Sequence, residues 1–435
     1  MSIVPLLLIF TGVFSLFTHR RILLSPKRLF SSLQCDDKQK RREEGRALLL
    51  ALSGTLGVGN ITGVATALIL GGSGSVLWML LSSLISIPLK YAEGALCADC
   101  REGGMAGVLR HTFRGKIGKV LSSIYATVFL LLALVLGGAV QGNAIVENAT
   151  AYLPVRRELL CVLLVFLLAL AVFGGVERIL RTLSVTLPLA TVIYVIMCLC
   201  VLVRFRAALP TVILDIFHSA FDGVRPTLGG LFGMLTGVAV KEGFLAGLLS
   251  NEAGAGTSTL AHTENTNHRS SGAIGVLEVL FDTTFLCTLS ALTFLVSDAH
   301  IAKSSAGEVL YSAFFPVLGR GYILPLLISI VFLATSSALC YLVYSRRMLS
   351  FLSLERLTLP FALLFLLCVG LGGLFGATAL VVLSHITLSL LCVISCLAIL
   401  FSRGKQDKQK TVLSQALRRK HRKIIIKLFK NGKNS

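Results

Sequence analysis

Two glycine-rich, polar interruptions within apolar stretches have the clearest potential for chemistry in this sequence. The first, SGTLGVGN at residues 53–60, lies in the middle of the apolar stretch 47–70. The second, SNEAGAG at residues 250–256, contains the carboxylate of Glu252. Glycine weakens a helix by roughly 1 kcal/mol relative to alanine, so we expect the backbone to unwind at both places. Unwound backbone inside a membrane exposes N–H and C=O groups that can bind an ion or a zwitterion.

Each interruption also has a simpler interpretation. Gly59 and Gly63 have the GxxxG spacing that lets two helices pack closely without a ligand. The polar run that extends to Ser271 would place Glu252 in a cytosolic loop. A dinucleotide loop is excluded, because Gly63 comes one residue too late for GxGxxG and no strand precedes it. We favour a binding site, because an ionisable group within a membrane domain is functional by default. Polar side chains also flank the first glycines, namely Ser53, Thr55 and Asn60.

Charged residues at helical spacing form a second group of candidates. Lys90 and Glu93 are three residues apart, and Glu278 and Asp282 are four apart, so each pair shares one face of a helix. These residues could form an inner gate or bind protons. A static network of ion pairs explains them equally well.

The composition indicates that membrane helices position these residues. The chain has 435 residues, of which 55% are hydrophobic and only 14% charged. Its mean hydropathy is +0.83, and soluble domains carry about 25% charged residues. Apolar runs recur at about the 20-residue length that crosses a bilayer. We therefore predict an all-α polytopic membrane protein, since the period-2 alternation of a β-barrel is absent.

About eleven transmembrane helices are predicted from these runs. They cover residues 3–17, 47–70, 75–96, 120–142, 158–174, 183–203, 228–250, 273–297, 321–345, 357–375 and 377–401, with surface helices at 208–222 and near 305–317. Basic loops stay in the cytoplasm, which places the N-terminus outside and the C-terminus inside. The interruptions fall in the first and sixth of the last ten spans, which predicts two inverted repeats of five helices. The predicted units are 1–46 (an N-terminal span and basic cytoplasmic loop), 47–203 (first five-helix repeat), 204–401 (second five-helix repeat) and 402–435 (a basic cytoplasmic tail).

The charge and the cysteines exclude several other functions. Much of the formal net charge of +20 lies in the tail, where basic residues attract anionic lipid. Nucleic acid is a weaker alternative partner, because a membrane span ends just before the tail. The 11 cysteines include one CxxC at Cys97 and Cys100 without a second ligand pair, so we expect no structural metal site. HExxH, GxSxG and a clustered Ser/His/Asp set are absent, so we expect neither an enzyme nor a cofactor.

Several separated motifs, in the same order, resemble the alanine/glycine:cation symporter family over residues 10 to 400. They are GNITGVATALILGGSGSVLWM from Gly59, KYAE at 90–93, VQGNAI at 140–145, LLSNEAGAGTSTLAHT at 248–263 and LEVLFDTTFLCTLSALTFL at 277–295. The resemblance implies two inverted five-helix repeats, similar to the sodium-coupled leucine transporter fold. It also implies sodium- or proton-driven uptake of alanine or glycine across the plasma membrane of a prokaryote, its inner membrane.

The resemblance further implies a role for individual residues. Backbone N–H groups near Gly57, Gly59 and Asn60 would bind the substrate carboxylate, and carbonyls around Asn251 and Gly254 would bind its ammonium group. Gln141 matches the pocket glutamine of the family, although an interhelical hydrogen bond would also explain it. The predicted substrate-binding residues are Thr55, Gly57, Gly59, Asn60, Gln141, Asn251, Gly254 and Tyr341.

A coupling cation is also implied. Carbonyls of Ser53 and Leu56 would face Ser336 and Ser337, which match a Ser-Thr pair of the family. Serines in the middle of a span often bond only their own backbone, which is the alternative here. The residues predicted to act as a gate or in proton coupling are Lys90, Glu93, Glu252, Glu278 and Asp282.

Two departures from the family pattern bear on the substrate. Tyr341 stands where the family has a pocket tryptophan, and Val58 stands where it often has threonine. We expect a symporter that couples entry of sodium, or of a proton, to uptake of a small neutral amino acid, alanine or glycine. The alternative is a transport-inactive membrane sensor of the same fold that binds an amino acid and signals through its basic tail.

Overall fold

The chain folds into α-helices and short turns of 3₁₀- and π-helix. The computed structural model describes residues 3–33, 37–98, 100, 102–221, 238–262, 267–297, 306–376 and 379–402, and no strand occurs among them. The basic tail beyond residue 402 and the first part of the span predicted at 228–250 lie outside these residues.

Sixteen helices are numbered here in chain order. They are α1 (Ile3–Leu23), α2 (Pro26–Ser31), α3 (Lys38–Thr55), α4 (Thr62–Gly71), α5 (Ser75–Cys97), α6 (Met105–Thr112), α7 (Lys116–Tyr152), α8 (Arg157–Val172), α9 (Gly175–Arg204), α10 (Leu209–Phe221), α11 (Val238–Asn251), α12 (His268–Val296), α13 (Ala306–Leu318), α14 (Ile323–Phe351), α15 (Thr358–Gly372) and α16 (Ala379–Ser402).

The prediction of an all-α polytopic membrane protein is confirmed. In the described part of the chain, eight helical segments are long and apolar enough to cross a membrane. The other three predicted spans correspond to the broken pair α3–α4, to α8 with its 16 residues and to α11 with its 14 residues. The number of eleven spans and the inverted repeat stay predictions.

Helix ends depart from the predicted spans where polar residues continue a helix beyond its apolar part. α7 extends from Lys116 to Tyr152, well past the predicted span at 120–142. α9 begins at Gly175 rather than at residue 183. Hydropathy detects the part of a helix that suits lipid, whereas hydrogen bonding decides where the helix ends. Two π-helical turns, Ala133–Val140 in α7 and Leu280–Cys287 in α12, had no recognised signal in the sequence.

Helices α5 and α12 lie unusually close together because glycines line their contact. A Cβ atom on Gly94 would lie 2.4 Å from the Ser271 carbonyl oxygen, and one on Gly275 would lie 2.7 Å from that of Lys90. By contrast, a Cβ atom on Gly59 or Gly63 would have no described atom within 4 Å. No described residue therefore packs closely on that pair, whereas close helix contact does occur between α5 and α12.

Replacing Gly94 by alanine should destabilise the protein by about 1–3 kcal/mol, because the added methyl group meets rigid backbone. Replacing Gly63 by alanine is the matched control, which should be neutral or stabilise by up to about 1 kcal/mol. The free energy of unfolding of the detergent-solubilised protein, measured by titration with a denaturing detergent, checks both. Equal effects of the two substitutions would contradict the close contact.

Candidate functional site

The first helix break separates α3 from α4, as the glycine-rich sequence predicts. α3 ends at Thr55, Leu56 leaves the helical region with ψ +74°, and a 3₁₀ turn at Val58–Asn60 precedes α4. The side chains of Ser53 and Asn60 are fully buried. Two polar side chains that flank the first break therefore lie within the protein interior.

The second break follows α11 and is held in a left-handed backbone conformation. Glu252, Gly254 and Gly256 have φ angles of +51°, +87° and +72°. Such an angle is uncommon for a glutamate. The Asn251 Oδ1 atom accepts a hydrogen bond of 3.0 Å from the Ala253 N–H group, which forms a tight turn directly after α11. Glu252 is only 5% exposed, so its side chain lies in the protein interior rather than on a solvated loop.

The two breaks meet at a buried polar cluster, which we call the Asp282 cluster: Asn60, Ser250, Asn251, Asp282 and Thr283. Ser250 Oγ lies 2.8 Å from Asn60 Oδ1 and 2.5 Å from Asp282 Oδ2. Thr283 Oγ1 lies 2.8 Å from Asp282 Oδ2 and accepts a 3.0 Å hydrogen bond from Asn251 Nδ2. A continuous chain of hydrogen bonds thus joins Asn60 of the first break to Asn251 of the second.

Gln141 faces the bare backbone of the first break. A Cβ atom on Gly57 would lie 3.4 Å from Gln141 Nε2 and 3.5 Å from Ser337 Cβ, so these side chains line the space beside Gly57. Gln141 Nε2 donates to the Leu136 carbonyl at 3.2 Å. Its Oε1 atom is buried and has no hydrogen-bond partner among the described residues. Gln141 therefore keeps an acceptor available where the first break exposes its backbone.

Tyr341 contacts the second break through the side chain of Glu252. Its hydroxyl group donates to Glu252 Oε1, and Thr257 donates to Glu252 Oε2 at 2.5 Å. The Tyr341 ring stacks on Phe129 with 6.2 Å between ring centroids. Gly137, in the π-helical turn of α7, allows this approach, because a Cβ atom there would overlap the tyrosine ring. π-helical turns are frequent at functional sites.

The residues predicted to bind a cation are only partly brought together. Ser337 Oγ donates to the Gly54 carbonyl at 3.3 Å and so joins α14 to the first break. Ser53 Oγ instead donates to Leu49 within its own helix at 2.7 Å. Ser336 Oγ lies 2.8 Å from Thr186 Oγ1 on α9, a residue that the sequence reasoning missed. Leu56 directly follows the last residue of α3.

Lys90 forms an ion pair across helices rather than along its own helix. Its Nζ atom lies 2.7 Å from Glu278 Oε1 and 2.9 Å from Ser258 Oγ, and both charged side chains are fully buried. Glu93 Oε1 accepts the Gly256 N–H at 3.1 Å. Ser258 and Gly256 belong to the segment after α11. The contacts of Lys90 and Glu93 with this segment therefore hold the second break against α5 and α12.

Three other predicted site residues face away from the Asp282 cluster. Thr55 Oγ1 donates to the Ala51 carbonyl at 3.2 Å. Gly59 has open space beside it, and Gly254 packs on Leu8 of α1. The sequence reasoning also missed Ser250 and Thr283 as members of the cluster, although both lie next to residues that it had chosen.

The sequence matches the model of one protein family and is similar to three known proteins. Residues 1–423 match the model of the sodium:alanine symporter family. The uncharacterized transporter YflA of Bacillus subtilis is 29% identical over 399 residues, which cover 86% of this chain and 83% of the relative. The putative sodium/proton-dependent alanine carrier protein YrbD of B. subtilis is 31% identical, with 70% of this chain and 64% of the relative covered. The sodium/alanine symporter AgcS of Methanococcus maripaludis is 27% identical, with 75% and 74% covered.

Lys90→Met should lower the free energy of unfolding by about 3–5 kcal/mol, because it leaves the buried Glu278 carboxylate without its counter-charge. Adding Glu278→Gln should restore much of the loss. The control is Arg46→Met, which removes the 2.9 Å pair with Glu177, whose side chain is 71% exposed. That change should cost less than about 1 kcal/mol. Equal losses for both single variants, by denaturing-detergent titration, would contradict the buried pair.

Proposed function

Because the chain belongs to the sodium:alanine symporter family, we propose that it couples entry of sodium, or of a proton, to uptake of alanine or glycine. The observation that carries this proposal is the meeting of two helix breaks at one buried polar cluster, with Asn60 and Ser250 2.8 Å apart. Helices broken at mid-membrane present their half-helix ends to substrates and ions in secondary transporters. Relatives named sodium/alanine symporter and sodium/proton-dependent alanine carrier support the substrate class and the two cations.

The proposed architecture is a pair of inverted five-helix repeats, residues 47–203 and 204–401, with an additional N-terminal span in 1–46. Each proposed repeat contains one broken helix, which supports the assignment. Matching breaks in two halves point to the binding site of such transporters. Alternating access then follows, as the repeats rock around a site between the breaks and open it to each side in turn.

The proposed amino-acid site lies between Gly57 and Gln141. The substrate carboxylate would bind backbone N–H groups of the first break near Gly57, Gly59 and Asn60, at the positive end of α4. The unpartnered Gln141 Oε1 atom offers an acceptor for the ammonium group. The bulk of Tyr341 and the close approach of Gln141 to Gly57 favour a small side chain, as in alanine or glycine.

The proposed sodium site combines the carbonyls of Ser53 and Leu56 with the hydroxyls of Ser336 and Ser337. Carbonyl and hydroxyl oxygens suit a hard monovalent cation. The 3.3 Å contact between Ser337 and the Gly54 carbonyl supports this location. The protein would reside in the prokaryotic inner membrane with its N-terminus outside and its C-terminus in the cytoplasm. The basic tail would contact anionic lipid.

Gly57→Ala should reduce uptake at subsaturating alanine at least about 10-fold, a loss of roughly 1.4 kcal/mol of binding, because its methyl group fills space beside Gln141. Gly63→Ala is the matched control and should transport normally. The measurement is sodium-gradient-driven uptake of labelled alanine into proteoliposomes. Normal uptake by Gly57→Ala would contradict the site. Thermal stabilisation of the wild-type protein by alanine without any flux would favour the sensor alternative instead.

Ser337→Ala should raise the sodium concentration needed for half-maximal uptake by about 10-fold, a loss of roughly 1.4 kcal/mol, because it removes one of a few cation ligands. Thr335→Ala, two positions earlier in α14, is the control, since its hydroxyl donates to the Val331 and Phe332 carbonyls of its own helix. Uptake is measured with sodium replaced stepwise by choline at two pH values. An unchanged sodium dependence in Ser337→Ala would remove this residue from the site.

A further inference from the structure

Resting on the proposed transport function, we propose that one face of α14 closes the route from the amino-acid site to the side of the membrane on which α14 ends. Tyr344 and Arg347 are the gate residues on this face. In the proposed orientation that side is the cytoplasm. The gate opens when α14 releases the hydrogen bonds that it donates to the two broken helices.

One face of α14 carries a row of hydrogen-bond donors, which we call the α14 donor stripe. Positions three, four and seven residues apart share one face of a helix. The stripe consists of Ser337, Cys340, Tyr341, Tyr344 and Arg347. Every one of these side chains donates to a group on another segment of the chain. By contrast, Ser329, Thr335 and Ser345 of the same helix donate to carbonyl groups of α14 itself.

Two members of the stripe bind the helix that precedes the first break. Tyr344 and Cys340 both donate to the Leu50 carbonyl of α3, each at 3.0 Å. The two helices are close here, because a Cβ atom on Gly54 would lie 3.3 Å from the Tyr344 ring and 3.5 Å from the Cys340 sulfur. Hydrogen bonds to a backbone carbonyl hold the helix itself, so α14 cannot turn or slide against α3 without breaking them.

Two other members bind the segment around the second break. Tyr341 donates to the Glu252 carboxylate, and Arg347 donates to the Leu260 carbonyl in the 3₁₀ turn Thr257–His262. Both broken helices are therefore attached to the same face of one continuous helix. A movement of α14 away from this position releases both of them together.

The stripe leads away from the proposed amino-acid site. Ser337 lines the space beside Gly57, and Tyr344 and Arg347 lie about 10 and 15 Å further along α14, at a rise of about 1.5 Å per residue. The part of α3 before the break follows the same stretch, since Leu50 accepts the hydrogen bond of Tyr344. An amino acid that leaves the site towards the end of α14 therefore passes between α3 and the stripe.

Aromatic rings fill this route in the structure. Tyr341 and Tyr344 are each only 1% exposed, and their ring centroids lie 6.2 Å apart. Phe129 of α7 packs against both rings, with centroid distances of 6.2 Å to Tyr341 and 6.5 Å to Tyr344. Rings packed at the density of a protein interior leave no space for an amino acid. They must separate before the substrate can pass.

The chemistry of these contacts favours opening along α14 rather than between α5 and α12. A neutral hydrogen bond to a carbonyl group can be exchanged for one to water with a small net change in free energy. Separating Lys90 from Glu278 would instead leave two buried charges without partners, which is far more unfavourable. Closely packed glycines also fix the contact of α5 with α12. These two helices therefore stay together while α14 moves.

Tyr344→Phe tests the gate without requiring transport. The substitution keeps the ring but removes the hydroxyl donor, so the open arrangement should become about 2- to 10-fold more populated, the effect of one neutral hydrogen bond on an equilibrium. Cys340 is fully buried within the stripe and reports the opening. The readout is the rate at which N-ethylmaleimide labels this thiol in the purified full-length protein, followed by mass spectrometry. We expect that rate to rise by the same factor.

Tyr152→Phe is the matched control, because its hydroxyl also donates to a backbone carbonyl, that of Gly307 at 3.3 Å, outside the stripe. It should leave the labelling of Cys340 unchanged. Cys198 on α9 is also fully buried and reports general unfolding. Its labelling should not increase in either variant, because opening along α14 leaves the rest of the fold intact.

Arg347→Gln is the second variant, in case Tyr344→Phe does not fold. Its shorter, uncharged side chain should weaken the contact with the Leu260 carbonyl and raise the labelling of Cys340 in the same way. Arg346→Gln is the control, since that neighbouring side chain is exposed. It should leave the labelling unchanged.

Alanine uptake into proteoliposomes, measured on the same preparations, separates the two proposals. Unchanged labelling of Cys340 in Tyr344→Phe and Arg347→Gln, together with sodium-driven uptake by the wild-type protein, would overturn the gate and leave the transport proposal standing. An equal rise in the labelling of Cys198 and Cys340 would also overturn the gate. Faster labelling confined to Cys340 supports the gate, and if the wild-type protein then takes up no amino acid, the transport proposal alone falls.

Discussion

Backbone groups released from a helix inside a membrane must find partners within the protein, because lipid offers none, and this constraint organises the structure. Side chains from distant helices meet the freed groups at both breaks. Ser290 donates to the Asn60 carbonyl at 2.7 Å, and Tyr125 donates to the Ala255 carbonyl at 2.8 Å. Ser395 of α16 shares the latter acceptor at 2.9 Å. The helices around the breaks are therefore held in place by the same hydrogen bonds that keep the breaks open.

The buried charged side chains also provide partners for the second break and its neighbouring helices. Glu93 accepts a hydrogen bond from the Gly256 N–H group in the second break, and Glu252 accepts one from the Thr257 hydroxyl. Glu278 pairs with Lys90 on α5. Among the residues that the structure describes, four buried carboxylates, counting Asp282, stand against one buried lysine. Isolated buried charges are very costly, so such an excess of acids persists only where protons or cations balance it.

Small residues decide how closely these groups approach. Gly94 and Gly275 let α5 and α12 lie near enough for Lys90 to reach Glu278. Gly137 admits the Tyr341 ring, whose hydroxyl then reaches Glu252. The tyrosine at this position thus adds a polar contact to the second break that a tryptophan ring could not make in the same way, because the indole N–H lies elsewhere on the ring. A larger side chain at any of these glycines would separate the polar partners.

The sequence by itself determined the membrane class, the positions of most spans and both helix breaks. These follow from apolar length and glycine content, which are local properties of the chain. Asn60, Asn251 and Asp282, which it predicted as binding or gate residues, lie in one buried polar cluster. Only the tertiary structure decided the partners: Lys90 pairs with Glu278 across helices, Ser336 faces Thr186, and Ser250 joins the breaks. The reason is physical, because hydropathy records how a residue interacts with lipid or water, whereas partners depend on how helices pack and rotate against one another.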